Sequence, residues 1–406
     1  MRKLIGPDVL PGATRKVMKN VLSVMPHTKI AEKRGAGIRG EVGKYCREKG
    51  YRNVLVVTGP IVGKLEIIDK LYQGLEEEKI RYTTFDGILS DPVFSGCREG
   101  SAAAKRNNVD AIIAFGGGSV MDTAKIIAAT MAYPKSAFAR FTVPFTAFRR
   151  FPVIMIPTTA GTGCEVTFGS IISDDKTRLK KNIGGPGYTP EICFLDVETT
   201  KDLSPELTAA TGMDALAHLI ENYLSAVPDK DCKNMCREAI RDVFEYLPRA
   251  YRNGSEDMAA REKMMDCANK GGQAINISGC VHGHALAHAI GGICHIHHGR
   301  ICGIILPEIL RYYQKYCGQE LAELAVFCEM GTPDESSDVL SKRLVDRVFA
   351  LRESLDLPEK IEEMKKDNLA AIRKEFWKQS LLYPTPTSMR EEELDEILEN
   401  LLMDTL

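Results

Sequence analysis

Short, continuous apolar runs alternate with amphipathic stretches over the first half of this chain. The apolar runs lie at 54–57, 111–115, 153–156 and 192–195, and a further strand-like run lies at 81–85. Stretches with helical periodicity separate the earlier runs, at 61–78, 95–107 and 120–131. Strands that are apolar throughout, rather than at alternate positions, are usually covered on both faces. The pattern therefore predicts an α/β domain, built on a parallel sheet with helices on both sides.

Strand-like runs stop near residue 203, and the rest of the chain has helical periodicity. The helical stretches lie at 205–250, 256–292, 303–330, 335–355 and 358–380. We therefore expect an N-terminal extension over 1–28, an α/β domain over 29–203 and an all-α domain over 204–406. Within the extension, Val17, Val21, Leu22 and Met25 are spaced to form one side of a short amphipathic helix.

Composition narrows the class of protein. With 44% hydrophobic residues and a net charge of −2, the chain is globular and has no general attraction to nucleic acid or anionic membranes. It has no apolar run long enough to span a bilayer and no secretory signal. The 12 cysteines are irregularly spaced, which favours reduced thiols over a disulfide framework and hence a cytoplasmic location.

Histidine is concentrated in one part of the chain. Seven of the 8 histidines lie between residues 218 and 298. Asp214 and His218 are one helical turn apart on a predicted helix, as are His284 and His288, and each pair shares one helix face. One carboxylate and three imidazoles, from Asp214, His218, His284 and His298, suit a divalent first-row metal. The alternative is that these side chains are ordinary interior or surface residues.

A second candidate site follows the strand at 111–115. Gly116, Gly117, Gly118 and Ser119 connect this strand to a helix, where backbone N–H groups and the helix N-terminus favour a pyrophosphate. The alternative is a tight turn. The loop at 156–165, which contains Thr158, Thr159 and Thr162, would suit the ribose or nicotinamide side of a dinucleotide.

A GxGxxG pattern at 35–40 is weaker. The segment before it is a poor strand, and no acidic residue follows at the distance that ribose binding requires. We interpret this segment as a turn that opens the first helix.

Taken together, these segments resemble the iron-containing (group III) alcohol dehydrogenases. The similar segments, in family order, are GGGSVMDTAK (116–125), IPTTAGTGCEVT (156–167), LTAATGMDALAH (207–218), HALAHAIGG (284–292), HHGRICGIILP (297–307) and YPTPTSMREEEL (383–394). The resemblance implies a dehydroquinate synthase-like fold, with a dinucleotide-binding α/β domain, a helical metal- and substrate-binding domain, and the metal and substrate in the cleft.

Residue by residue, the resemblance makes Asp214, His218, His284 and His298 the metal ligands. It places His288 near substrate and cofactor, where we expect it to relay a proton. The alternative is that His288 only forms a hydrogen bond that supports the site. It assigns cofactor binding to Gly59, Gly116, Gly117, Gly118, Ser119, Asp122, Thr158, Thr159, Thr162 and Lys181, and we expect Asp91 to belong to the same set.

Two positions depart from the family pattern. Cys164 replaces the usual serine, so an oxidisable thiol is expected near the nicotinamide. Gly59 stands where members restricted to NAD have an aspartate, which predicts that NADP is also accepted.

The resemblance implies an NAD(P)-dependent alcohol dehydrogenase or aldehyde reductase acting on a small primary alcohol, diol or hydroxy-aldehyde. Its cation would be Fe²⁺, with Zn²⁺ as an alternative, and its assembly a homodimer or higher homo-oligomer. A zinc glycerol-dehydrogenase-like enzyme would share the fold but use three protein ligands, so His218 argues against it. A metal-dependent hydrolase would leave both cofactor loops without a role. An inactive protein that docks through residues 1–28 would not need the four ligands.

Overall fold

The computed structural model describes residues 30–88, 90–227, 229–381 and 383–403. The predicted extension over 1–28 lies outside the described residues. Those that are described divide into two units, one ending at Leu203 and the other starting at Ser204.

The first unit is organised around a six-stranded sheet with strand order β1-β8-β5-β4-β2-β3. The bounds of its strands are β1 Ala31–Arg34, β2 Asn53–Thr58, β3 Arg81–Phe85, β4 Ala111–Gly116, β5 Val153–Pro157 and β8 Ile192–Leu195. Every neighbouring pair is parallel, which confirms the predicted sheet. Two further strands, β6 Gly169–Ser173 and β7 Lys180–Gly184, form a separate antiparallel hairpin.

Helices cover the central strands of this sheet, which are apolar on both sides. The helices are α1 Val42–Lys49, α2 Asp69–Glu77, α3 Phe94–Arg106 and α4 Gly118–Ala132. Val54 and Val56 of β2 share a core cluster with Leu71 and Leu75 of α2. The intervening Leu55 points to the opposite face and is equally inaccessible to solvent, so that face is covered as well.

Three elements of this unit differ from the expectation. Strand β1 was predicted to be a poor strand because it reads AEKR, yet it pairs with β8 at the edge of the sheet, where charged side chains reach water. The β6–β7 hairpin was not predicted. The helix expected from residue 61 begins only at Asp69, after two short 3-10 turns that are separated by an extended Leu65.

The second unit is helical. Its helices are α5 Pro205–Leu224, α6 Lys230–Asn253, α7 Met258–Ile277, α8 His282–Cys294, α9 His298–Gln314, α10 Gly318–Phe327, α11 Ser337–Ser354, α12 Leu369–Ser380 and α13 Glu391–Leu401. Within its described residues, β pairing is confined to one isolated bridge, between Ile361 and Leu402. In the described part of the chain, no helix combines the length and apolar character needed to cross a membrane.

The helical prediction was right in kind but merged neighbouring helices. The stretches at 205–250, 256–292 and 303–330 each contain two helices, and α13 was not predicted. Local capping explains two of the boundaries, since the side chains of Ser204 and Asp229 accept hydrogen bonds from the first turns of α5 and α6. All twelve cysteines are free thiols, as expected.

Candidate metal centre and cofactor loops

Three helices of the second unit bring the four predicted metal ligands together. Asp214 and His218 lie one turn apart on α5, His284 lies in the first turn of α8, and His298 is the first residue of α9. His295 ends α8 in the left-handed conformation, so that α9 begins only three residues later. The rings of His284 and His298, which lie on these two successive helices, have centroids 5.5 Å apart.

A single oxygen atom, Oδ1 of Asp214, lies at the centre of the cluster. It is 3.6 Å from Nε2 of His284 and 3.6 Å from Nε2 of His298. Nδ1 of His218 lies 3.9 Å from the same oxygen. The His218 and His284 rings are stacked, with centroids 4.2 Å apart. All four predicted ligands therefore point toward one small volume.

The donor atoms of this cluster are arranged to bind a cation rather than to form hydrogen bonds with one another. Asp214 Oδ1 and His284 Nε2 are buried and have no hydrogen-bond partner. Burial opposes ionisation of Asp214, but the facing histidines outweigh it and hold the pKa of this carboxyl well below its usual range. An ionised, buried oxygen without a hydrogen bond is costly, and a divalent cation between these donors would remove that cost.

Glu221 is a candidate functional residue that the sequence analysis missed. It lies on α5, on the face that carries Asp214 and His218, and its Oε1 is 2.9 Å from Nδ1 of His284. Burial opposes its ionisation, but His284 and two backbone N–H groups lower the pKa of Glu221. An ionised Glu221 accepts a hydrogen bond from Nδ1–H of His284, which leaves Nε2 free to bind a metal.

The close approach of Glu221 depends on a glycine. A Cβ at Gly283 would stand 2.2 Å from Glu221 Oε1, so no other residue fits there without displacing the carboxylate. The N–H groups of Val281 and His284 donate to Glu221 Oε2 over 2.6 and 3.3 Å. The carboxylate therefore caps the N-terminus of α8 and also orients the ring of His284.

His288 lies beside the ligands, with its ring centroid 5.2 Å from that of His298. Its Nδ1 is 3.0 Å from the hydroxyl of Tyr383, a second residue that the sequence analysis did not single out. Burial raises the pKa of Tyr383 well above its usual value, so this phenol stays protonated. A protonated Tyr383 can donate to Nδ1, which leaves the ring proton of a neutral His288 on Nε2.

The predicted phosphate loop lies at the N-terminus of α4. Gly117 is the N-cap residue and has no side chain to satisfy the first-turn N–H groups. The second predicted loop packs directly against it. A Cβ at Gly117 would lie 3.3 Å from the Thr159 side chain, and one at Gly118 would lie 2.8 Å from Cγ2 of Thr162. The N–H of Thr158 also donates to the carbonyl of Gly116 over 3.0 Å.

Ser119 and Asp91 are tied to the same region. The Ser119 hydroxyl donates to the carbonyl of Ser90 over 2.7 Å, which places the neighbouring Asp91 near the loop. Asp91 accepts hydrogen bonds from Ser173, at 2.7 Å, and from Lys180. The predicted Lys181 is the next residue of β7, and its side chain points to the opposite face of the hairpin.

Asp122 and Cys164 lie behind the loop, in a buried polar network. The Asp122 carboxylate accepts from the N–H of Ile171 over 2.8 Å and lies 3.5 Å from Nζ of Lys125. Lys125 in turn donates to Thr167 and to the carbonyl of Gly169. Burial, with Asp122 nearby, raises the pKa of Cys164, so its thiol is less reactive at neutral pH than we expected. The network anchors α4 to the hairpin.

Gly59 follows directly from β2, whose Thr58 is paired with Phe115 of β4, so it lies beside the strand that leads into the phosphate loop. The GxGxxG segment, in contrast, is a turn before α1, as predicted. Its backbone N–H groups at Gly37 and Arg39 donate to the buried carboxylate of Asp196, over 2.8 and 3.1 Å. The protein's own carboxylate therefore occupies the position of an anion in this turn.

Comparison with known proteins identifies the class to which this fold and site belong. Residues 33–197 match the family "Iron-containing alcohol dehydrogenase", and residues 208–402 match "Fe-containing alcohol dehydrogenase family, C-terminal". The chain therefore belongs to the iron-containing alcohol dehydrogenase family and is an oxidoreductase that acts on alcohols or aldehydes.

Individual relatives agree with this assignment. The chain is 30% identical to choline dehydrogenase from Bacillus subtilis, over 88% of this chain and 90% of that protein. It is 33% identical to alcohol dehydrogenase 4 from Schizosaccharomyces pombe, over 77% of this chain and 75% of that protein. Among solved structures, a 1,3-propanediol oxidoreductase is 26% identical, with a TM-score of 0.87 over 92% of this chain and 98% of that chain.

Proposed function

We propose that this protein transfers a hydride between NAD(P)(H) and a small primary alcohol, diol or hydroxy-aldehyde. In this proposal Asp214, His218, His284 and His298 hold a divalent cation, which is Fe²⁺, with Zn²⁺ as the alternative. The observation that carries it is the buried Oδ1 of Asp214, which has no hydrogen bond and faces three imidazole nitrogens at 3.6 to 3.9 Å. Four protein donors favour this reading over a glycerol-dehydrogenase-like site with three.

Each residue around the cation has a distinct task in this proposal. A cation bound here would supply Lewis-acid chemistry to the oxygen of the substrate. Glu221 fixes the ring of His284 through Nδ1. Tyr383 holds Nδ1 of His288, so that Nε2 of His288 is the atom that we assign to proton relay.

The first unit supplies the cofactor site in this proposal. Gly116, Gly117, Gly118 and Ser119 bind the pyrophosphate, and Thr158, Thr159 and Thr162 bind the ribose and nicotinamide side. Contact between the two loops supports this assignment, because a dinucleotide must lie along both. Asp91, Asp122 and Lys181 complete the predicted set. Of these, Asp122 is buried and would act by holding α4 in place.

Cofactor choice is assigned to Gly59. This glycine has no carboxylate to repel a 2′-phosphate, so we propose that NADP is accepted beside NAD. A Cβ at this position would lie 3.7 Å from the carbonyl of Ile88, which is ordinary contact. Gly59→Asp should therefore fold normally, weaken NADP binding at least about tenfold through charge repulsion, and leave NAD binding nearly unchanged. Strict preference for NAD in the unaltered protein would contradict this assignment.

Organisation and location complete the proposal. We propose a dinucleotide-binding domain over 29–203, a metal- and substrate-binding domain over 204–406, a homodimer or higher homo-oligomer, and a cytoplasmic location. The twelve irregularly spaced thiols support a reducing compartment.

The test is a panel of alcohols and aldehydes, assayed with NADH and NADPH on purified protein whose metal content is measured in the same sample. We expect a change in NAD(P)H absorbance with at least one small aldehyde, in proportion to bound Fe²⁺ or Zn²⁺. A fully metallated protein that hydrolyses esters or amides and leaves both nicotinamides unchanged would favour the hydrolase reading instead.

A further inference from the structure

We propose that Cys302 supplies a sulfur donor to the cation site and thereby tunes its choice of metal. This inference rests on the proposed function, since it concerns the same cation. It adds a ligand to the set formed by Asp214, His218, His284 and His298.

The position of Cys302 on α9 brings its sulfur to the cluster. His298 and Cys302 are one helical turn apart, and Sγ lies 3.6 Å from Nε2 of His298. Zinc bond lengths of about 2.3 Å to sulfur and about 2.0 Å to nitrogen place two neighbouring donors of one ion roughly 3.0 to 3.7 Å apart, for bond angles of about 90° to 120°. The observed separation therefore suits two ligands of a common cation.

A second observation shows that this sulfur faces a site rather than ordinary core. The donor atoms of Asp214, His284, His298 and Cys302 all lie within 4.8 Å of one another. Two of these atoms, Asp214 Oδ1 and His284 Nε2, are buried without a hydrogen-bond partner. Cys267 illustrates the structural alternative, because its thiol lies 3.5 Å from the backbone carbonyl of Ala239 in the core between α6 and α7.

A sulfur ligand changes the chemistry of the site in a defined direction. Coordination releases the thiol proton to solvent and adds a soft, negatively charged donor. Zn²⁺ and Co²⁺ benefit from thiolate more than harder cations such as Mn²⁺ or Mg²⁺ do. We therefore expect Cys302 to raise the affinity for Zn²⁺ and Co²⁺ relative to a site with only oxygen and nitrogen donors.

The experiment uses cobalt, because a cobalt–thiolate bond gives an intense near-ultraviolet charge-transfer band. The unaltered protein is produced with Co²⁺ in the medium, and its cobalt content and absorption spectrum are measured. The same is done for Cys302→Ser and for the control Cys280→Ser. Cys280 is a suitable control because it is also buried and close to His284. Its sulfur groups with the donor atoms of His218 and His284, whereas that of Cys302 groups with those of Asp214, His284 and His298.

We expect the band in the unaltered protein and in Cys280→Ser, and its loss in Cys302→Ser. We also expect the Zn²⁺ affinity of Cys302→Ser, measured by competition with a chelator, to be at least tenfold weaker. Bound cobalt without the band in the unaltered protein overturns the sulfur ligand but leaves the proposed dehydrogenase site standing. A band lost only in Cys280→Ser also overturns it. Failure of the unaltered protein to take up any divalent metal overturns both proposals.

Discussion

The candidate sites of the two units are built from different kinds of chemical group. The α/β unit offers backbone N–H groups, glycines and threonine hydroxyls at the ends of β4 and β5. The helical unit offers buried, ionisable side chains whose pKa values are shifted by their neighbours, as for Asp214 and Glu221. A site built from backbone is altered mainly by adding atoms, whereas a site built from side chains is altered by removing them.

Among the substitutions that test this contrast, Asp214→Ala should have the largest effect. Removing the central carboxylate should abolish metal retention and lower turnover at least about 10³-fold, because the cation contributes several kcal/mol of transition-state stabilisation. NADH binding, measured by fluorescence titration, should survive. The control is His295→Asn, which keeps a residue tolerant of the left-handed conformation at the exposed end of α8. Wild-type metal content in Asp214→Ala would contradict the ligand assignment.

Glu221→Gln tests the same unit one step further from the cation. The amide keeps an acceptor oxygen for His284 but loses the negative charge, so metal affinity should fall about 10- to 100-fold. Competition with a chelator measures this affinity directly. Glu206→Gln is a matched control on the same helix, exposed in its first turn. Equal affinities for the two variants would show that Glu221 has only a structural role.

In the α/β unit the corresponding test adds a methyl group. A Cβ at Gly118 would lie 2.8 Å from Cγ2 of Thr162, so Gly118→Ala should push the loops apart and weaken NADH binding about tenfold. Thr162→Ser removes that methyl and keeps the hydroxyl, so the double variant should regain most of the affinity. Metal content should not change. No recovery in the double variant would mean that the two loops act independently.

The smallest expected effect concerns the free energy of unfolding of the helical unit. Burial opposes ionisation of Glu393, but Arg390 and Tyr316 outweigh it and lower its pKa to about 2. An unfolded glutamate has a pKa of about 4.3, so this carboxylate stabilises the fold above that pH and loses its contribution as the pH falls toward 2. Glu393→Gln should therefore cost about 1 kcal/mol at pH 7 and make stability less dependent on pH in the acid range.

Fluorescence of Trp377, the single tryptophan of the chain, reports on the helical unit in this experiment because it lies on α12. Urea unfolding at pH 7 and pH 3 gives the two free energies. Glu392→Gln, on the neighbouring exposed position, is the control. An equal pH dependence for Glu393→Gln and the unaltered protein would contradict the prediction.

The contrast between the units also explains what the sequence could predict. The central strands were predictable because β2, β4 and β5 each contain a continuous apolar run, such as 54–57 in β2. Strand β1 was not, because an edge strand with charged side chains lacks that signal. Helix ends in the second unit depend on single capping residues such as Asp229, which periodicity does not register.

The same distinction holds for the candidate site. The sequence allowed four candidate ligands to be grouped, because two pairs are spaced one helical turn apart and histidine is scarce elsewhere in the chain. These residues are Asp214, His218, His284 and His298. Glu221 had a signal that we did not use, since it shares a helix face with Asp214 and His218. Tyr383 opens one of the segments that resemble the family, but its sequence position did not place it beside His288, which it reaches only through the tertiary fold.

A cation site of this kind depends on residues that are not donors, and Gly283 is one of them. Gly283 owns no atom that can bind a metal, yet the space it leaves open is filled by Oε1 of Glu221. We therefore expect a screen for loss of metal to find substitutions at Gly283. A designer who transfers the four donors to another helical scaffold would need to place a glycine at the matching position.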